Sequence, residues 1–322
     1  MQSISHARRR LLQRAAALST VLITSSFAHE GPTLRVGYQK GGGLLGLLKA
    51  QSTLETKLAP RGWAVTWSEF PAGPQLLEAM NAGSLDFGYT GAPPPIFAQA
   101  ADNDLVYVGA EPIGLSTEAI IVKRASAVTD VLALKGKSIA LQKGSSAYLL
   151  LLAALDRAGL ALADIQPVYL APAYGRAAFE TDHVDAWVIW DPYLSSTQAT
   201  VDLRVIADYN NLPETFGFYL APRAFAERSS AELLLVLREL ATVGAWAVAN
   251  PLAAAKILAP QVGLPLTVVE TWQKRARYGV KPIDAAVIAG QQKIADTFFQ
   301  HHLIPKKIDV ASAMWRALVR TP

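Results

Sequence analysis

The stretch LRVGYQKGGGLLGLLKA, residues 34–50, contains the unit that decides the fold. A strand-like segment, Leu34 to Gln39, runs into three consecutive glycines, and a leucine-rich segment follows them. Glycine adopts turn conformations that other residues avoid, so three in a row mark a sharp change of chain direction. The stretch therefore predicts a strand–turn–helix unit whose helix runs from Leu44 to about Leu58.

The same order of strand, turn and helix recurs along the chain. A nearly all-helical segment begins at Ser230, with breaks at Pro251 and Pro265. Further strands are predicted at residues 65–70, 85–89, 105–110, 119–122, 138–142, 168–170, 187–190, 204–207 and 216–220. Short β-rich runs that alternate with helical ones predict an α/β fold with largely parallel sheets.

Two α/β blocks followed by a helical tail predict a discontinuous, two-lobed molecule. We expect the chain to cross to the second lobe near Glu118 and to return near Tyr219. Residues 29–118 and 220–322 would then form one lobe, and residues 119–219 the other. A hinge of two strands suits the closure of a cleft by rigid-body rotation.

The first 28 residues have the pattern of a cleavable export signal. Arg8, Arg9 and Arg10 form a basic start, residues 15–23 are mostly apolar, and Ser26-Phe27-Ala28 offers the small residues of a cleavage site. The arginines also fit a twin-arginine signal loosely, so the export route stays open. Loss of the four leader arginines would lower the formal charge from +4 to 0. We therefore expect a periplasmic protein with neither nucleic acid nor a membrane as a partner.

The absence of cysteine excludes several kinds of chemistry. A chain with no cysteine and five histidines has no disulfide, thiolate metal site or cysteine nucleophile, and it offers few general bases. It also lacks the cysteine that a lipid anchor after the leader would need. We expect no metal and no cofactor, and a monomer.

Three turns share one design, in which small polar residues join a strand to the start of a helix. They lie at residues 39–43, 90–92 and 143–146. A helix N-terminus carries unpaired N–H groups and a partial positive charge, and it binds anions without a full countercharge. Each turn alone fits ordinary capping or turn chemistry, but the three together predict an anion site in a cleft. Its residues would be Gln39, Gly41, Thr90, Gly91, Gly144, Ser145 and Ser146, with Trp190 as an apolar wall for the rest of the ligand.

Neutral donors favour an anion that stays ionised at every physiological pH. A sulfonate is such an anion, and it needs neither a metal nor proton exchange. Donors without charge also avoid the cost of burying a second charge. From these donors alone, we expect binding that persists from about pH 5 to about pH 9.

Several motifs resemble the alkanesulfonate-binding proteins of ABC importers. They are VGYQK (36–40), FPAGPQLLEA (70–79), GSLDFGYTG (83–91), DIQPVYL (164–170), VDAWVIWDPY (184–193) and QQKIAD (291–296). The resemblance spans about residues 33–315. It implies a type II periplasmic-binding-protein fold, an organic sulfonate as ligand, and ABC transporter permease subunits as partners in sulfur acquisition.

This chain departs from the family pattern at three places. Ala92 stands where an acid is usual, Tyr174-Gly175 replace Asp-Ala, and Tyr148-Leu149 replace a pair that often carries His or Asn. These changes leave open the ligand's tail, and with it the alternatives of taurine, nitrate or another small anion. An enzyme on the same fold is a further alternative, which the lack of a His/acid pair disfavours.

Overall fold

The computed structural model describes residues 31–316, so the predicted leader at residues 1–28 lies outside the described residues. The described strands are β1 (Thr33–Gln39), β2 (Ala64–Phe70), β3 (Phe87–Thr90), β4 (Leu105–Pro112), β5 (Glu118–Lys123), β6 (Ser138–Leu141), β7 (Gln166–Tyr169), β8 (Ala186–Trp190), β9 (Leu203–Asp208) and β10 (Phe216–Pro222). The described α-helices are α1 (Gly43–Ala50), α2 (Thr53–Leu58), α3 (Gly73–Asn81), α4 (Pro93–Ala100), α5 (Ser146–Arg157), α6 (Pro172–Glu180), α7 (Tyr193–Gln198), α8 (Arg223–Arg228), α9 (Ser230–Ala249), α10 (Pro251–Val262), α11 (Leu266–Arg275) and α12 (Ala285–Gln300). Short 3₁₀ turns lie at Ala59–Arg61, Leu132–Leu134, Leu162–Asp164, Tyr209–Asn211 and Val310–Ala313.

The strands form two five-stranded sheets within the described part of the chain. The first has the order β2-β1-β3-β10-β4 and the second the order β7-β6-β8-β5-β9. β1 pairs in parallel with β2 and β3, and β6 with β7 and β8, as the sequence predicts. β10 and β5, however, run antiparallel to both of their neighbours. The sheets are therefore mixed rather than largely parallel, because each of these strands enters from the other sheet without a crossover helix to reverse it.

The glycine turn forms as predicted, but the helix after it is interrupted. Gly41, Gly42 and Gly43 all have positive φ angles, which explains the three glycines between β1 and α1. The single helix expected from Leu44 to Leu58 is wrong, since Ser52 has a φ of 50° and separates α1 from α2. The Ser52 carbonyl accepts both the Thr56 amide at 3.1 Å and the Thr56 hydroxyl at 2.8 Å, so Ser52 is the point at which α2 begins anew.

Two connections join the sheets, and they lie side by side. The chain leaves the first sheet after Pro112 and enters the second at Glu118, then leaves it after Asp208 and returns at Phe216. The Ile113 amide donates to the Thr215 carbonyl at 3.1 Å, and the Tyr209 amide donates to the Leu115 carbonyl at 2.9 Å. These hydrogen bonds hold the two connections together.

The apolar core has three parts. One cluster covers the outer face of the first sheet under α1, α9 and α10, and a small one covers the outer face of the second sheet. The third contains buried residues from both sheets and from α4, α5 and α12. Phe298 of α12 contacts Phe97 of α4 and Tyr148 of α5, with ring centroids 5.4 and 6.3 Å apart. Between residues 31 and 316, no helix combines the length and hydropathy needed to cross a bilayer.

Candidate functional site

A cavity lies where the carboxyl ends of β1 and β3 face the start of α5 and the end of β8. The volume open to the centres of water molecules is about 150 Å³. A single water needs roughly a tenth of this volume, so the cavity has room for several waters or a small organic anion. Its position fits the general rule that ligands bind beyond the carboxyl ends of strands in α/β sheets.

Five of the eight site residues predicted from the sequence line this cavity. They come from four separate segments of the chain and are Gln39, Gly91, Ser145, Ser146 and Trp190. The amide of Gln39 donates from Nε2 to the Tyr89 carbonyl at 3.2 Å, which ties β1 to β3 at the rim. The Gln39 side chain is thus held at the edge of the cavity.

The other three predicted residues lie behind the cavity wall. Thr90 is fully buried, and its Oγ1 donates to the Gly91 carbonyl at 3.0 Å. Gly41 faces Pro192, where an added Cβ would lie 2.8 Å from the Pro192 Cδ. Gly144 has a φ of 73° and faces the ring of Phe97. These residues shape the turns but are not among the cavity-lining residues.

The Ser145–Ser146 turn starts helix α5 at the cavity. Ser145 has an extended backbone, and its Oγ donates to the Gln142 carbonyl at 2.7 Å, so this hydroxyl proton is already in use. Ser146 is the first helical residue, and its carbonyl accepts a bond from the Tyr209 hydroxyl at 3.0 Å. The amides of the first helical turn have no intrahelical acceptor, and they supply the positive end of the helix dipole.

Groups on the two sides of the cavity lie close together. A Cβ built on Gly91 would lie only 2.8 Å from the Ser146 Cβ and 3.1 Å from its Oγ. Lys40 Nζ lies 5.7 Å from the ring centre of Tyr193. Among these groups, the two sides of the cavity therefore approach each other most closely at Gly91 and Ser146.

An ion pair also joins the two sides of the cleft. Arg275, at the end of α11, lies 3.5 Å from Asp191 Oδ2 and donates to Gln198 at 2.7 Å. Asp191 in turn accepts from the Ser195 amide and hydroxyl at 2.8 and 2.6 Å. Burial raises the pKa of Asp191, while these hydrogen bonds and the charge of Arg275 act in the opposite direction.

The two tryptophans of β8 lie in different surroundings. Trp190 is half-buried and lines the cavity, opposite Glu118 in the strand register. Trp187 is buried on the other face of the strand, against Phe179 and under Gly175. Trp190 can thus provide an apolar wall for a ligand, while Trp187 belongs to the core.

Two buried carboxyl groups line the cavity and were missed by the sequence prediction. The Tyr219 hydroxyl donates to Glu111 at 2.6 Å, and Ser146 is the hydrogen-bond partner of Glu118. Burial raises the pKa of each carboxyl to about 7, although these hydrogen bonds act to lower it. A signal was available, because Glu111 is the one acid in the apolar segment 105–111 and Glu118 directly precedes the apolar residues 119–122. Acidic side chains are almost never fully buried unless another group pairs with them, so a single acid beside apolar residues indicates such a partner.

A cation was missed as well. Arg277 lines the cavity while its side chain stays exposed, and it has no ion-pair partner among residues 31–316. Lys40 also lines the cavity. Both cations lie at the rim, whereas the two carboxyl groups lie deeper.

The residues that depart from the family pattern lie away from the cavity lining. Ala92 is fully buried, and its carbonyl accepts from Gln291 at 2.7 Å. Tyr148 is buried between Phe298 and Tyr169, and Tyr174 is 70% exposed. These substitutions therefore do not contact a ligand in this cavity directly.

We expect Glu111→Gln and Glu118→Gln each to stabilise the protein at alkaline pH. A carboxyl whose folded pKa is about 7 and whose unfolded pKa is 4.5 stabilises the fold fully below pH 4.5, and this stability is lost as pH rises through 7. The difference in unfolding free energy between each variant and wild type should be roughly 2–3 kcal/mol more favourable to the variant at pH 8.5 than at pH 5. Urea unfolding at both pH values measures this gain.

The exposed Glu227 provides a matched control. Glu227→Gln should shift the unfolding free energy equally at both pH values. A pH-independent difference for the two cavity variants would show that the carboxyls are ionised in the native protein across this range.

Clusters of metal-binding side chains were sought throughout the part of the chain that the structure describes. Across residues 31–316, no group of three His, Asp or Glu side chains is arranged to hold a metal ion.

Comparisons with known proteins find one matching family model and several similar proteins. The model of the family described as NMT1/THI5 like matches residues 62–254. A putative aliphatic sulfonates-binding protein of Escherichia coli K12 is 45% identical over 305 residues, which cover 93% of this chain and 95% of the relative.

Two solved structures are similar over most of the chain. The periplasmic aliphatic sulphonate binding protein of Escherichia coli superposes with a TM-score of 0.81 at 45% identity, over 88% of this chain and 92% of that one. The alkanesulfonate-binding protein of Xanthomonas axonopodis pv. citri, solved bound to MOPS, superposes with a TM-score of 0.86 at 44% identity, over 89% and 99%. A desulfurization enzyme with 15% identity and a TM-score of 0.62, over 88% and 96%, shares the fold alone.

Proposed function

Because this chain belongs to the NMT1/THI5-like family and to its periplasmic aliphatic sulfonate-binding proteins, we propose that it captures an organic sulfonate and delivers it to an ABC importer for sulfur acquisition. The observation that carries this proposal is the meeting of Gly91 with the start of α5 at one cavity. This arrangement holds an anion with neutral donors. The relatives that are similar to this chain over most of its length are binding proteins, which supports binding rather than catalysis.

The sulfonate group sits in what we call the anion cradle, formed by Gln39, Gly91, Ser145 and Ser146, in which Ser145 shapes the turn because its hydroxyl already donates to the Gln142 carbonyl. The α5 dipole and first-turn amides favour a negative charge there. Hydrogen bonds to a charged acceptor are worth more than neutral ones, about 1.5–3 kcal/mol each. Arg277 and Lys40 at the rim add a favourable potential for an anion that enters the cleft.

The organic tail of the ligand packs against Trp190. This indole lines the cavity and is left partly exposed by the protein itself. Aromatic rings bury a large apolar area, and they favour alkyl groups without demanding a particular chain length. A wall of this kind suits a family of sulfonates rather than one.

Ligand capture closes two lobes around the cavity. We assign the first sheet, with residues 33–112 and 216–316, to one lobe and the second sheet, with residues 118–208, to the other, and the paired connections after Pro112 and Asp208 form the hinge. A ligand that touches Gly91 in one lobe and Ser146 in the other favours the closed state, because only that state provides both sets of contacts.

Isothermal titration calorimetry of the purified chain tests the function. Ethanesulfonate and hexanesulfonate should bind, whereas nitrate and sulfate should bind at least about tenfold more weakly, since neither offers an apolar tail to Trp190. Tight nitrate binding without sulfonate binding would overturn the proposal. Sulfite released from a sulfonate during incubation would instead indicate an enzyme.

We propose that the chain is exported and cut after Ala28. The basic start and the small residues of Ser26-Phe27-Ala28 support this assignment. N-terminal sequencing of protein from the periplasmic fraction should give a mature chain that begins near His29. Recovery of the intact leader would contradict it.

A further inference from the structure

We propose that Glu118 joins the anion cradle as a neutral carboxylic acid. It donates its proton to the oxygen of Ser146, which leaves the Ser146 hydroxyl free to donate to the sulfonate. This inference rests on the proposed function, because it requires a permanently charged anion at the Ser146 turn. It adds a titratable specificity residue to a site that otherwise uses neutral donors.

The position of Glu118 carries the inference. Its side chain lines the cavity, is only 5% exposed, and has Ser146 as its hydrogen-bond partner. Glu118 Oε2 has no hydrogen-bond partner within the described residues, and no lysine, arginine or histidine there forms an ion pair with it. An ionised carboxylate buried without a pair is costly, and a protonated one is far less so.

A count of protons at Ser146 leads to the same conclusion. A serine hydroxyl has one proton to donate. If Glu118 is ionised, the Ser146 proton points to the carboxylate and is lost to the sulfonate. If Glu118 is protonated, it supplies the proton of that hydrogen bond, and Ser146 can turn its own proton to the ligand.

The surroundings of Glu118 also favour the neutral form. The ionisable side chains that face it or share its cavity are Tyr38, Lys40, Tyr89, Glu111, Asp191, Tyr209, Arg277 and Tyr278. Burial raises the pKa values of Tyr89, Tyr209 and Tyr278 above 10, so these three stay neutral. Arg275 is committed to Asp191 and Gln198, and the two rim cations Lys40 and Arg277 are not ion-paired with Glu118. Burial raises the pKa of Glu118 to about 7, and the negative charge of Asp191 adds to this.

A bound sulfonate raises the proton affinity of Glu118 further, because it places a negative charge at Ser146, the residue to which this carboxyl is hydrogen-bonded, whereas Glu111 is bonded to Tyr219. Binding above pH 7 therefore takes up a proton from solvent. Linkage then lowers sulfonate affinity by up to about tenfold for each pH unit above 7. This result departs from the pH-independent binding expected from the neutral donors alone.

Calorimetry with ethanesulfonate at pH 6.0 and pH 8.5 tests the inference. Two sulfonate-free buffers that differ in ionisation enthalpy are used at each pH to count the protons exchanged: cacodylate and imidazole at pH 6.0, and borate and Tris at pH 8.5. Wild type should take up close to one proton at pH 8.5 and almost none at pH 6.0, with affinity more than tenfold lower at pH 8.5. Equal affinity at both pH values without proton uptake would leave the function intact and overturn this inference.

The variant Glu118→Gln identifies the residue responsible. Its side-chain amide donates to Ser146 at every pH, so it should bind with no proton uptake, with affinity that varies less than about threefold, and more tightly than wild type at pH 8.5. Glu111 lines the same cavity, but its hydrogen-bond partner is Tyr219 rather than Ser146. The variant Glu111→Gln should therefore keep the pH dependence of wild type. If Glu111→Gln abolishes that dependence and Glu118→Gln keeps it, the inference is wrong.

Binding of taurine distinguishes a neutral Glu118 from an ionised one. It carries an ammonium group beside its sulfonate, and an ionised Glu118 would attract that group. Tighter taurine binding at pH 8.5 than at pH 6.0, together with loss of taurine binding in Glu118→Gln, would show that Glu118 acts as a carboxylate and overturn the inference. Absence of binding by any sulfonate at either pH would instead contradict the proposed function itself.

Discussion

Gly91→Ala is expected to weaken sulfonate binding at least about a hundredfold while leaving the fold intact. The new Cβ would lie 2.8 Å from the Ser146 Cβ, a distance that atoms in proteins do not tolerate, and the Ser146 Cβ is fixed to the backbone of α5. The cleft must therefore open, and at least one or two hydrogen bonds to the charged sulfonate are lost, at about 1.5–3 kcal/mol each. Calorimetry with ethanesulfonate measures the loss.

Small-angle scattering separates this mechanism from a local change at the ligand. Wild type should contract when sulfonate is added, and Gly91→Ala should not. Gly290→Ala is the matched control, since Gly290 lies in α12 with no atom within 4 Å of an added Cβ. Normal affinity of Gly91→Ala would show that the two turns do not close on the ligand, and contraction of both proteins would show that closure does not depend on the Gly91–Ser146 contact.

Trp190→Ala should weaken binding in proportion to the length of the sulfonate's tail. Each methylene buried against the indole contributes up to about 0.8 kcal/mol. Hexanesulfonate should therefore lose roughly 2 kcal/mol, or about thirtyfold in affinity, while methanesulfonate loses less than about threefold. A calorimetric series from methanesulfonate to hexanesulfonate measures the slope of binding free energy against chain length.

Trp187→Phe provides the comparison on the same strand. Trp187 is buried in the core on the opposite face, so this change should lower stability and leave the chain-length slope unchanged. If Trp190→Ala weakens methanesulfonate and hexanesulfonate equally, Trp190 supports the structure of the site and the tail lies elsewhere.

Much of the site could be predicted because strand–turn–helix units are local. Gln39 is the last residue of β1, whereas Gly91, Ser145 and Ser146 follow β3 and β6 within a few residues. The position of each at a strand end can be inferred from the sequence around it. The same local pattern could not separate Gly91 from Thr90, or Ser145 from Gly144. Which residue of a turn faces the cavity depends on the orientation of its backbone, and that orientation is set by packing against α3 and α4.

The antiparallel strands were not predicted for a similar reason. β5 and β10 have ordinary apolar sequences, and nothing in them indicates their direction relative to neighbours. Direction follows from the path of the whole chain, because each enters its sheet from the other one.

By itself, the sequence determined the α/β alternation, the glycine turn after β1, and the polar turns that start helices, because hydrophobic period and backbone preference act over a few neighbouring residues. Only the tertiary structure decided that Glu111, Glu118 and Arg277 share one cavity with the Ser146 turn. Glu111 and Arg277 lie far apart in the sequence, and the protonation of a carboxyl depends on burial and on the charges around it. Those are properties of the folded molecule, so no local pattern of residues could have revealed that this anion site also contains acids.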